Sequence, residues 1–149
     1  MGADRPMGPV VAAVSGSPSD EAVVLEAARV ARLLGLRFVI VLHVVDTTRL
    51  PVPPDSPEGR AMLDGLRSRA LDVYEASSRI LESLGLEAVP AFREGRPCGE
   101  IVGFAEKAGG ILVMAPSESG EGLGGTLLCV ASKFRGNILV AKSGGARGG

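Results

Sequence analysis

Phe38-Val39-Ile40-Val41-Leu42-His43-Val44-Val45 is apolar at every position but one. Side chains alternate across a strand, so a strand apolar on both faces must be covered on both. That is the setting of a central parallel strand between two layers of helix. The run is far shorter than the roughly 20 residues a membrane span needs, so it reads as protein interior. Upstream lies a second short apolar run, Val10-Val-Ala-Ala-Val14, which ends in Ser15-Gly16-Ser17. Helix-start chemistry follows directly. Ser17 is expected to cap the free amides, Pro18 suits the first helical position, and Asp20 faces the positive end of the dipole. Val24, Ala27, Ala31 and Leu34 share one helical face, Glu26, Arg29 and Arg32 a solvated one, and Gly35 supplies the stop.

Downstream, residues 47–55 carry three prolines and read as a loop. Ser56-Pro57-Glu58 opens the longest helix, whose face of Leu63, Leu66, Ala70, Val73, Ser77, Ile80 and Leu84 runs to Gly85. The alternating segment 86–92 is a strand that Pro90 places near the sheet edge. Pro97 opens a third helix through Ile101, Phe104, Ala105 and Ala108, stopped by Gly109-Gly110. Ile111-Leu-Val-Met114 is a buried strand, 126–135 a fourth helix stopped by Gly136, and Ile138-Leu-Val-Ala141 the last strand. Five strands and four helices in alternation predict one α/β domain over residues 10–142. Its architecture is a flavodoxin- or Rossmann-like three-layer α/β/α sandwich around a parallel sheet. Residues 1–9 and 143–149 are expected to be flexible tails.

Composition narrows the function. The chain has 149 residues, 16 basic and 17 acidic, for a net charge of −1. With one Tyr, four Phe and no Trp there is no basic, aromatic-laced surface, which excludes a dedicated nucleic-acid binder. Cys98 and Cys129 form no CxxC, and His43 is the single histidine, so a zinc site lacks its ligands. Two reduced, core-packed thiols are expected rather than a disulfide. Residues 1–9 have no apolar h-region of a signal peptide. The chain is therefore expected to be soluble and cytoplasmic, with no membrane partner.

In parallel sheets ligands bind beyond the carboxyl ends of the strands, where strand order reverses. The candidate site is then Ser15, Gly16 and Ser17, with Val44, Val45 and Asp46 and the stretch from Ala115 to Thr126. Within that stretch, Gly120, Gly122, Gly124 and Gly125 let backbone amides converge on an anion, and Thr126 can bond a phosphate oxygen. Glu118 and Glu121, with no Lys or Arg in 117–126, oppose a triphosphate, and a plain connecting loop is the favoured reading. Ser15 can reach a ribose. His43 reads as a satisfied strand histidine, and Asp46 as a turn cap in preference to a ribose or cation ligand. No nucleophile, general base or metal cluster is identifiable, so no catalytic residue is assigned.

In order along the chain, Val10-Val-Ala-Ala-Val-Ser-Gly-Ser17, Leu42-His-Val-Val-Asp46, Glu94-Gly95-Arg-Pro97 with Ile101, Ile111-Leu-Val-Met114 and Asn137-Ile-Leu-Val140 resemble the universal stress protein family. The resemblance implies strand order 3-2-1-4-5, a role in stress physiology and a homodimer paired through the last strands. Here those would use Ile138, Leu139, Val140 and Ala141. Some members bind ATP or AMP, with magnesium a possible companion, and others do not. Binding members carry an Asp where this chain has Ser15 and a glycine where it has Ala115. They also carry a longer glycine pattern, of which Gly125-Thr126 would be the end. The expectation is a homodimeric, non-enzymatic binding or regulatory module with an altered nucleotide site. The alternatives are a member that binds adenine nucleotide through Gly120 to Thr126 and, less favoured, a weak nucleotide hydrolase.

Overall fold

The computed structural model describes residues 8–116 and 125–142. The strands are β1 (Val10–Val14), β2 (Phe38–Asp46), β3 (Glu87–Gly95), β4 (Ile111–Met114) and β5 (Ile138–Val140). The helices are α1 (Asp20–Leu33), α2 (Pro57–Ser83), α3 (Pro97–Ala108) and α4 (Gly125–Lys133). All pairings are parallel, in the order β3-β2-β1-β4-β5.

The two faces of β1 separate the core into two halves. Val10, Ala12 and Val14 pack with Val23, Val24, Ala27 and Ala31 of α1 and with Leu81 of α2. Val11 packs on the other side with Ile101 and Ala105 of α3 and Leu127 and Val130 of α4. β2 divides likewise, Val39 and Val41 to the first half and Leu42 to the second. A strand apolar on both faces is thus covered on both, giving the three layers that its pattern requires.

Helix ends follow backbone chemistry. Gly35 and Gly85 take φ of +75° and +79°. Leu36 N–H then donates to Ala31 O and Leu86 N–H to Leu81 O, closing a Schellman turn at each end. Ser56 caps α2 by accepting from Gly59 N–H at 3.0 Å. Four expectations about α1, the end of α4, β3 and the cysteines need correction. Ser17 is not the cap of α1: the helix begins at Asp20, preceded by Ser19, and a Ser17–Asp20 turn (3.0 Å) occupies the place of its first turn. Gly136 is not a left-handed stop. A Cβ there would lie 2.6 Å from Cζ of Phe134, so glycine is required because the buried Phe134 ring passes over it. β3 runs on to Gly95, since β2 offers it a partner at each position from Phe38 to Asp46. Pro90 still sits on that edge strand, opposite Val41.

The fourth correction concerns the cysteines. Cys98 and Cys129 are joined in a disulfide, with Cα atoms 6.0 Å apart, and are not two thiols. They lie on adjacent helices of the second half-core, α3 and α4. Apolar packing brings together residues that 31 positions of sequence keep apart.

Candidate functional site

The chain builds β1, β2 and β3 outward on one side and then returns to place β4 on the other side of β1. The strand order therefore reverses between β1 and β4, and the crevice beyond their carboxyl ends is the expected binding place. A cavity of about 600 Å³ opens there, within the range of small-ligand sites. Its floor is Val14, Val44 and Met114. Its walls are Asp20 of α1, Arg69 of α2, Pro97 and Ile101 of α3, and Thr126 and Leu127 of α4.

The turn after β1 would ordinarily present amides to an anion. Here the chain supplies the anion itself. Ser15 N–H donates to Asp20 Oδ1 at 2.9 Å and Gly16 N–H to Asp20 Oδ2 at 2.7 Å. The carboxylate so held also sits in the first turn of α1, where the dipole favours negative charge. Ser17 Oγ lies 3.2 Å from Ser15 Oγ and 2.8 Å from Ser19 Oγ, a small hydroxyl chain in place of a helix cap. Ser15 and Ser17 both line the cavity. Gly16 does not. Its φ of +87° makes the turn, and a side chain there would meet Val73 Cγ2 at 3.2 Å.

β2 contributes the opposite rim. The Val14 carbonyl can only accept, so His43 Nδ1 must donate to it, at 3.0 Å. This satisfied strand histidine nevertheless lines the cavity, as do Val44 and Val45. Asp46 does act as a turn cap, accepting from Thr48 N–H at 3.0 Å over a short 3-10 turn, Thr47–Arg49. Its other oxygen lies 3.5 Å from Arg49 Nε. Ala115 and Pro116 continue the rim past β4. Pro116 has no N–H, so an anion finds no backbone donor at that position.

Gly125 begins α4 but does not line the cavity, whereas Thr126 does. Gly120, Gly122 and Gly124 lie outside the described residues. Among the described residues, no three His, Cys, Asp or Glu side chains gather as metal ligands, and no helix is long and apolar enough to cross a membrane. Sequence reasoning missed Arg49 and Arg69. The first ends the short 3-10 turn within the segment that reads as a plain loop. The second lies three residues after Leu66 on the helix face that also carries Val73, a spacing that brings it to the cavity. The charge balance drawn from 117–126 alone was therefore incomplete.

At the other rim, β5 is shorter than expected. Its ladder covers Ile138, Leu139 and Val140. Ala141 leaves the strand, is 5% exposed and donates its N–H to Met114 O. Val140 is 47% exposed, as is fitting for an edge residue.

No family model matches the chain, and no curated protein sequence matches it. Solved structures do match, over nearly the whole chain. UspA, a universal stress protein from Lactobacillus plantarum, aligns with a TM-score of 0.80 at 18% identity, over 93% of this chain and 100% of that one. The universal stress protein from Archaeoglobus fulgidus in complex with dAMP aligns with a TM-score of 0.68 at 23% identity, over 93% and 100%. A universal stress protein in complex with cAMP aligns with a TM-score of 0.70 at 18% identity, over 93% and 99%. The architecture is a Rossmann-type α/β sandwich with its crevice at the strand switch point. Within that class, the chain has the universal stress protein fold.

Proposed function

We propose that the chain is a universal-stress-type binding module, homodimeric and non-catalytic, whose nucleotide site is altered rather than lost. One observation carries this reading: a cavity of about 600 Å³ persists at the switch point while Asp20 takes up the amide of Ser15, which lines it, and that of the neighbouring Gly16. A ligand can enter, but it must find its anion contacts elsewhere. Neighbours of the same fold hold dAMP and cAMP, which supports an adenine mononucleotide as the occupant. Val44, Val45 and Met114 offer an apolar bed for the base, and Ser15 or Ser17 a hydroxyl for the ribose. Use of the glycine loop by a triphosphate remains the competing reading, favoured by Thr126 at the cavity wall.

Thermal unfolding with millimolar AMP, cAMP or ATP, each with and without magnesium, separates the two. A ligand at 100 times its dissociation constant adds about 2.7 kcal/mol. The altered-site reading expects AMP or cAMP to raise the midpoint, with no further gain from ATP and magnesium. A shift from ATP alone would favour the loop, and no shift from any of them would sink nucleotide binding. The edge position of β5, with Val140 exposed, supports the dimer, since an open strand edge invites a second copy. A particle of 15.2 kDa by light scattering at high micromolar concentration would refute it. A cytoplasmic location stays within this reading; there the reducing thiol pool would work against the Cys98–Cys129 bond.

A further inference from the structure

We infer that Arg69 receives the phosphate of the cavity's ligand, so that the cavity selects a phosphomonoester over the uncharged nucleoside. The inference rests on the reading of the cavity as a mononucleotide site and names its anion contact. Three charged side chains other than Arg69 reach the cavity, and each is already engaged. Asp20 is held by two backbone amides at 2.9 and 2.7 Å, and Asp46 by the Thr48 amide and Arg49. Arg49 itself faces Asp46 at 3.5 Å. Arg69 differs. Among the described residues, no carboxylate lies within ion-pair distance of it and no side-chain hydrogen bond is made by it, although Arg29, Arg49 and Arg67 each have an acidic partner.

Its position is set by α2. Leu66, Arg69 and Val73 form one face of that helix, laid over the turn after β1. The terminal nitrogen of Arg69 comes within 3.8 Å, and its Nε within 3.9 Å, of the point a Cβ would occupy at Gly16. The guanidinium thus lies beside the turn whose own amides Asp20 has taken. A planar fork of donors suits phosphate oxygens, and whichever of the Ser15 and Ser17 hydroxyls the ribose leaves free can complete the contact. A ligand phosphate at this place would stand on the α2 side of the cavity, across from Thr126 on α4.

Calorimetric titration of AMP and adenosine into the full chain tests this, with Arg69→Gln, Arg69→Lys and Thr126→Val beside the wild type. Gln removes the guanidinium while keeping the aliphatic stem and helix propensity at an exposed site, and circular dichroism checks that the fold is unchanged. Loss of one charge-assisted contact at a partly solvated position should weaken AMP about tenfold. Adenosine affinity should stay the same in Arg69→Gln, and Arg69→Lys should recover part of the loss. An AMP-to-adenosine preference that survives Arg69→Gln, or one that collapses in Thr126→Val instead, overturns the assignment. Equal wild-type affinity for AMP and adenosine overturns it too, while leaving the cavity reading intact. If the wild type binds neither, the cavity reading fails and this inference with it.

Discussion

Reducing the Cys98–Cys129 bond should lower the stability of the domain by a predictable amount. The crosslink joins residues 31 positions apart, from the first turn of α3 to the middle of α4. Its main effect is on the unfolded chain, whose loop it keeps closed. For a loop of that length the chain-entropy estimate is about 12 cal/mol/K, or about 3.7 kcal/mol at 25 °C. Reduction removes no heavy atom from the core, so it isolates this effect better than a serine substitution at Cys98, which is 6% exposed. For a domain of this size each kcal/mol moves the midpoint by about 2–4 °C, so the expected fall is about 7–15 °C. The assay is thermal unfolding with and without a phosphine reductant, with thiols counted on the unfolded, non-reduced protein. Two free thiols per chain in that count, or a fall under about 2 °C once reduction is verified, would refute the reasoning. The first result would mean that the bond is not formed. The second would mean that the unfolded chain is already restricted between these residues.

Two glycines should respond in opposite directions. A Cβ at Gly110 would lie 1.7 Å from the Pro9 carbonyl oxygen, which also accepts from Ile111 N–H beside the β1–β4 pairing. Gly110→Ala should therefore destabilise by about 2–3 kcal/mol in urea denaturation. Gly65, within α2, has nothing within 4 Å of a Cβ, and Gly65→Ala should stabilise by about 0.5–1 kcal/mol. Glu94 should titrate below the ordinary glutamate value of 4.5, first because Arg67 donates hydrogen bonds to its carboxylate and further because of that residue's charge. Because its folded value is the lower one, the stability that this pair adds is complete above the unfolded value and lost as pH falls through the folded value. In Arg67→Gln, NMR titration should find Glu94 nearer 4.5; an unchanged midpoint would remove Arg67 as the cause.

Most of the architecture was legible from local pattern. An apolar run on both faces at 38–45, Ser-Pro helix openings and Gly35 and Gly85 as stops all act over a few residues, so their spacing is visible along the chain. Where a boundary failed, a distant partner had intervened. β3 continued to Gly95 because β2 offered hydrogen bonds that far, and Gly136 answered to the Phe134 ring rather than to a turn.

The site divides along the same line. Periodicity and alternation were enough to specify a parallel sheet and to direct attention to the ends of its strands, because burial on two faces leaves a one-dimensional signature. The chemistry at those ends came from convergence. Asp20 folding back on Ser15 and Gly16, Arg69 arriving from α2, and Cys129 meeting Cys98 each depend on helices crossing a sheet. Such meetings leave no spacing in the chain, since the distance that matters runs through the packed core and not along the backbone.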